Sequence, residues 1–149
     1  MKLRTFESEL WLPRPSEELF PFFSNAANLE QITPPWLNFQ MLTPQGSAIG
    51  EGSLIDYRLR VHGLPIRWRT RINAWEPPNR FVDEQIRGPY RRWVHEHTFT
   101  SAKGGTLMRD KVTYAVPFDI LVHRLFVLRD IKNIFQFRSD ALRRRFDQK

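Results

Sequence analysis

SLIDYRLRVHGLPIRWRTRINAW, residues 53–75, decides the class of fold. In its first half Ile55, Tyr57, Leu59 and Val61 alternate with Asp56, Arg58 and Arg60. In its second half Trp68, Thr70 and Ile72 alternate with Arg67, Arg69 and Arg71. Period-two alternation of this kind belongs to a strand with one dry face and one wet face. His62-Gly63 between the halves suits a two-residue hairpin turn, so the strands at 53–61 and 65–75 run antiparallel.

The same grammar extends outward. Residues 3–12, 37–43, 80–87, 91–101 and 105–115 also alternate. Between them lie Gly50 and Gly52, Pro77-Pro78-Asn79, Gly88-Pro89 and Lys103-Gly104-Gly105, all turn chemistry. Pro13 and Pro15 end the first strand and confine it to an edge or an exit. Ser16 is a good N-cap for a short helix through Phe23, with Glu17 and Glu18 near its positive end and Pro21 shortening it. A second short helix fits Ala26 to Ile32 and stops at Pro34-Pro35.

After Pro117 the pattern changes in kind. Asp119 can cap a helix to about Phe146 that contains neither Pro nor Gly. Leu121, Leu125, Leu128, Phe135, Leu142 and Phe146 form one apolar stripe, and Arg124, Lys132, Arg138, Arg143, Arg144 and Arg145 are assigned to other faces. Strand, two short helices, six strands and one long helix is an α+β order. A strongly bent sheet closed by a single helix cannot fill its middle with side chains everywhere, so an apolar cavity is expected.

The chain has 149 residues, enough for one domain, 1–149. Apolar residues at 41% and 12 Phe exclude a disordered chain, and zero cysteines exclude disulfides, thiolate metal sites and thiol nucleophiles. Neither a bilayer-spanning run nor an apolar leader is present in the sequence, so a cytoplasmic location is expected. G-x-S-x-G, a phosphate-cradling glycine loop and a dinucleotide fingerprint are also missing.

Several segments carry a family likeness: Asn28-Leu29-Glu30-Gln31-Ile32-Thr33-Pro34-Pro35-Trp36, Gly52 to Tyr57, Ile66 to Thr70, Phe81 to Gln85 with Gly88-Pro89-Tyr90, and Gly105-Thr106 with Arg109-Asp110. With the element order, they resemble the START-like helix-grip (SRPBCC, Bet v 1-like) superfamily and, within it, bacterial cyclase/dehydrase-like proteins. The resemblance implies a seven-stranded curved antiparallel sheet, two short N-terminal helices and one long C-terminal helix. It also implies a cavity for a small hydrophobic molecule, with no cofactor and no metal.

Strand parity points to the groups that line such a cavity. Val82 and Ile86 bracket Glu84; Trp93 and Phe99 bracket His95 and His97; Met108, Val112 and Tyr114 share a side with Asp110. Four ionisable groups thus fall on faces that apolar neighbours mark as inner, and a charge removed from water needs a partner. They can brace the sheet, orient a ligand's polar end, or act as acid and base. The working expectation is binding of a lipid, isoprenoid or polyketide-like molecule by Phe39, Met41, Tyr57, Trp68, Thr70, Glu84, His95, His97, Asp110, Leu125 and Leu128. A cofactor-free cyclase, dehydratase or isomerase is the alternative, with Glu84 and His95 as its catalytic candidates. His95-x-His97 has metal-ligand spacing, yet H-x-H occurs in many strands that bind nothing, and no metal is expected.

Arg58, Arg60, Arg67, Arg69, Arg71, Arg92, Arg109 and Lys111 fall on the opposite parity, interrupted by Asp56, Asp83 and Glu96, in a chain of net charge +7. Such a face attracts phosphate, which makes binding of nucleic acid or of an anionic membrane surface a further alternative. Cross-strand Arg–carboxylate pairing explains the same charges, and no nucleic-acid motif accompanies them, so nucleic acid is not expected.

Overall fold

The computed structural model describes residues 2–44, 49–118 and 126–146. Its seven strands are β1 (Arg4–Leu12), β2 (Gln40–Met41), β3 (Leu54–Val61), β4 (Leu64–Glu76), β5 (Arg80–Arg87), β6 (Arg92–Ala102) and β7 (Gly105–Ala115). They form a single antiparallel sheet ordered β1-β7-β6-β5-β4-β3-β2. The β3–β4 and β6–β7 hairpins turn on His62-Gly63 (φ 50° and 80°) and Lys103-Gly104 (φ 50° and 76°). Two successive positive φ values match the twist of the strands they join, and glycine at the second position carries no steric cost.

The helices explain themselves less directly. Ser16 does not cap the first helix; it is the first residue of Ser16–Phe23, and Pro15 occupies the cap without a side-chain bond. Its carbonyl accepts from the Glu18 and Leu19 amides at 3.0 and 3.2 Å. Ala26–Ile32 is a 3₁₀ helix, capped by Asn25 Oδ1 accepting from the Ala27 amide at 3.1 Å. A further 3₁₀ turn at Pro35–Leu37 ends on Asn38 at φ 48°. That turn consumes the start of the strand expected at 37–43 and leaves only Gln40–Met41 paired, opposite Arg58 and Tyr57.

The C-terminal helix covers Leu128–Phe146 and buries Ile131, Phe135 and Leu142. The expected cap Asp119 and the stripe members Leu121 and Leu125 lie outside the described residues. Leu142 packs with Leu10, Leu12, Leu19, Phe20, Phe99 and Met108 into a solid core at one end. Phe20 meets Trp75, Phe81 and Phe99 at ring centroids 4.9–5.7 Å apart, a close aromatic plug. Ile131 and Phe135 pack on Val112 and Tyr114 further along.

Candidate functional site

Beyond the solid core, the sheet and the C-terminal helix enclose a cavity of about 650 Å³. This is the size range of small-molecule sites. Its walls are largely aromatic. Tyr57 stacks on Trp68 at 5.9 Å and meets Phe39 at 4.9 Å. Trp93 and Tyr90 stand edge-on to Trp68 at 5.6 and 5.7 Å. On this wall Trp68 Nε1 donates to Thr70 Oγ1 at 3.0 Å, and burial pushes the Tyr57 hydroxyl well above its usual range.

The polar groups gather where the cavity meets the core. Asp110 Oδ1 accepts from His95 Nε2 at 2.8 Å and lies 3.1 Å from His97 Nδ1. Asp83 Oδ2 lies 2.7 Å from His97 Nε2. Arg138 reaches in from the helix with its side chain 11% exposed, one terminal nitrogen 3.8 Å from Asp110 Oδ1. Its guanidinium sits between the Phe23 and Phe135 rings, 5.4 and 5.9 Å from their centroids. Phe81 stacks on His97 at 3.9 Å, and His97 on His95 at 3.6 Å.

The protonation states follow from this geometry. His97 Nε2 faces Asp83 and Nδ1 lies 3.1 Å from Asp110, a pair of carboxylate contacts that favours the imidazolium. Arg138 also comes within 3.4 Å of His97 Nδ1. Burial alone pushes the His97 imidazole down; its bonds to Asp110 and Asp83 overcome that and hold it above its ordinary value. His95 is held below its ordinary value, first by burial and then by the neighbouring His97 charge. Burial opposes both carboxylates, yet Arg138 and the two histidines hold Asp110 well below its usual range, and His97 holds Asp83 below its own.

Phe39, Tyr57, Trp68, Thr70, His95 and His97 line the cavity, while Asp110 lies behind the two histidines. Met41 and Leu128 are described but are not among the lining residues, and Leu125 lies outside the described residues. Glu84 is on the outer face, where its Oε1 accepts from Asn73 at 2.9 Å and pairs with Arg71 at 3.4 Å. The inner carboxylate of β5 is Asp83, expected on the outer face. The reason is parity: Phe81 is paired with His97 and Asp83 with His95, so odd positions point inward. Val82 and Ile86 share the outer side with Glu84, and Ile86 is 46% exposed.

Arg138 was assigned to a face other than the apolar stripe, and its side chain instead turns inward and is largely covered. The signal was in the stripe, since Phe135, Arg138 and Leu142 are spaced at three and four and therefore share one side. Some of the outer arginines are paired, Arg71 with Glu84 among them. Arg69 binds Asp56 through Nε at 2.8 Å, Arg80 binds Glu96 at 2.7 Å, and Arg109 binds Glu9 at 2.8 Å.

Asp83, His95 and His97 bring candidate metal-ligand atoms within 4.8 Å of one another. In this arrangement His97 Nε2 and Asp83 are engaged with each other, and a cation entering there meets the Arg138 guanidinium. No helix among the described residues is long and apolar enough to cross a membrane.

A family profile described as polyketide cyclase / dehydrase and lipid transport matches residues 12–143. Solved structures share the fold at low identity. A protein from Chromobacterium violaceum superposes with a TM-score of 0.76 at 12% identity, covering 97% of this chain and 98% of its own. The major latex-like protein of Panax ginseng gives 0.70 at 9%, with 97% of both chains covered. A point mutant of the norcoclaurine synthase of Thalictrum flavum, solved with a transition-state analogue, gives 0.68 at 13%, again with 97% of both chains covered. No curated protein matches the chain by sequence.

Proposed function

The chain belongs to the polyketide cyclase / dehydrase and lipid transport family of the START-like superfamily, and from that premise we propose that it binds a small hydrophobic molecule inside its helix-grip fold. A lipid, an isoprenoid or a polyketide-like compound is the class of ligand. The observation that carries this is the cavity: about 650 Å³, walled by Tyr57, Trp68, Tyr90 and Trp93, with Asp83, His95, His97 and Arg138 clustered together and the His62–Asp130 pair also on its wall. Apolar walls supply affinity by releasing water, and a few polar groups at one end set orientation.

Native mass spectrometry of protein purified from its own cells tests this, with solvent extraction of the denatured protein alongside. A bound apolar species that is released on denaturation is the expected result. Leu59→Trp, which places an indole inside the wall, is expected to reduce occupancy while the protein stays folded. Recovery of empty protein that also fails to take up an apolar fluorescent dye overturns the proposal.

Acid–base catalysis is a second reading, favoured by one observation. His95 lines the cavity as a neutral imidazole while Asp110 holds its other nitrogen, the arrangement of an oriented general base. Turnover of a cyclisable polyketide-type substrate is then lost in His95→Gln, with binding retained and Glu84→Gln unaffected. If His95→Gln turns over as fast as the parent, this reading fails.

A further inference from the structure

The polar end of the cavity can be read for both charge and hydrogen-bonding valence. Asp83 and Asp110 are two anions; the imidazolium of His97 and the guanidinium of Arg138 are two cations; His95 is neutral. The cluster is therefore balanced without a ligand. At this end of the cavity an entering carboxylate or ammonium adds a charge that the cluster does not already balance, in a site largely removed from water.

The valence count is equally restrictive. His95 Nε2 faces Asp110 Oδ1 at 2.8 Å and so carries the ring's hydrogen, which leaves Nδ1 with a lone pair. Nδ1 has no hydrogen-bond partner among the described residues. Among their buried side-chain nitrogen and oxygen atoms, Arg138 Nε alone lacks a partner. The unpartnered Nδ1 is therefore not sealed in protein; it opens on the cavity that His95 lines. Nearby, Thr70 Oγ1 is committed to the Trp68 indole and His97 Nε2 to Asp83 Oδ2, which leaves His95 Nδ1 and the second oxygen of Asp83 as open acceptors at this end of the cavity.

We propose that this site selects an uncharged hydroxyl-bearing ligand, a phenol, enol or alcohol on an apolar body, whose O–H donates to His95 Nδ1. The inference rests on the ligand-binding reading above and narrows it. Ketones, ethers and esters have no hydrogen to give Nδ1, and carboxylates and phosphates set a second acceptor against its lone pair. A hydroxyl satisfies Nδ1 and leaves the balance of charge untouched.

Four probes of one shape test it by titration of the intrinsic tryptophan fluorescence at neutral pH: naphthalene, methoxynaphthalene, naphthol and naphthoate. Naphthol is expected to bind about tenfold more tightly than naphthalene or methoxynaphthalene, the worth of one hydrogen bond. Naphthoate is expected to bind more weakly than naphthalene. His95→Phe should bring naphthol down to the affinity of naphthalene, and the ranking on the parent protein holds the test if that variant does not fold. Tightest binding of naphthoate overturns the proposal, as does naphthol binding no better than methoxynaphthalene; both outcomes leave the cavity reading standing. Failure of all four to bind removes the cavity reading together with this one.

Discussion

The two faces of the sheet carry hydrogen-bonded acid–base pairs of equal length in different solvents. On the outside Arg109 and Glu9 meet across β1 and β7 at 2.8 Å, with both side chains more than half exposed. One position along β7, Asp110 points inward and meets His95 at the same distance with both side chains nearly buried. Water screens the outer pair and already solvates both partners when they separate, so its formation changes little. The inner groups gave up that hydration, so each is held in place by the cost of leaving another unpaired. Proximity in sequence and in ångströms is shared; the consequence is not.

The largest effect that sharpens this contrast is expected from Asp110→Ala. It strands Arg138 and His97 together in a dry site, and urea denaturation should register a loss of about 3–5 kcal/mol. Asp110→Leu combined with Arg138→Met removes an anion and a cation together and should recover most of that loss. A single variant that costs no more than an exposed pair would break the comparison.

A smaller effect is expected along the pH axis. His97 holds its proton more tightly folded than unfolded, where 6.5 is its ordinary value. Its stabilisation is therefore complete below about pH 6.5 and drains away as pH rises through the higher folded value. His97→Gln lacks that contribution, so denaturation curves of parent and variant should converge on the alkaline side. A gap that widens with rising pH would contradict the imidazolium assignment.

The smallest effect belongs to the outer face. Glu9→Gln is expected to shift stability by less than about 1 kcal/mol, with the difference shrinking in added salt. A larger, salt-independent loss would mean that the outer pair is insulated from water and the contrast misplaced.

Much of the architecture was legible in the chain because strand parity and turn chemistry are local. Ile55 and Tyr57 point one way and Asp56 the other whatever else the protein does, and His62-Gly63 dictates a hairpin without help from distant residues. His95, His97 and Asp110 were placed inward by the same logic, and they are buried. In β5 the reading chose the wrong markers: Val82 and Ile86 share the outward parity of Glu84, Val82 being covered there and Ile86 exposed, and Phe81 was the residue to follow.

What the alternation in the chain could settle was which side chains of one strand travel together, since neighbouring Cβ atoms must diverge. Which set faces inward in β5 depended on its pairing with β4 and β6, including the register shift between Ile72 and Ala74 that sets Trp75 opposite Phe81. The meeting of Arg138 with Asp110 depended on how the C-terminal helix is rotated against β7. Register and helix rotation are fixed by contacts between residues far apart in sequence, where the cost of misplacing a charge is felt only after the sheet and helix have excluded water from between them.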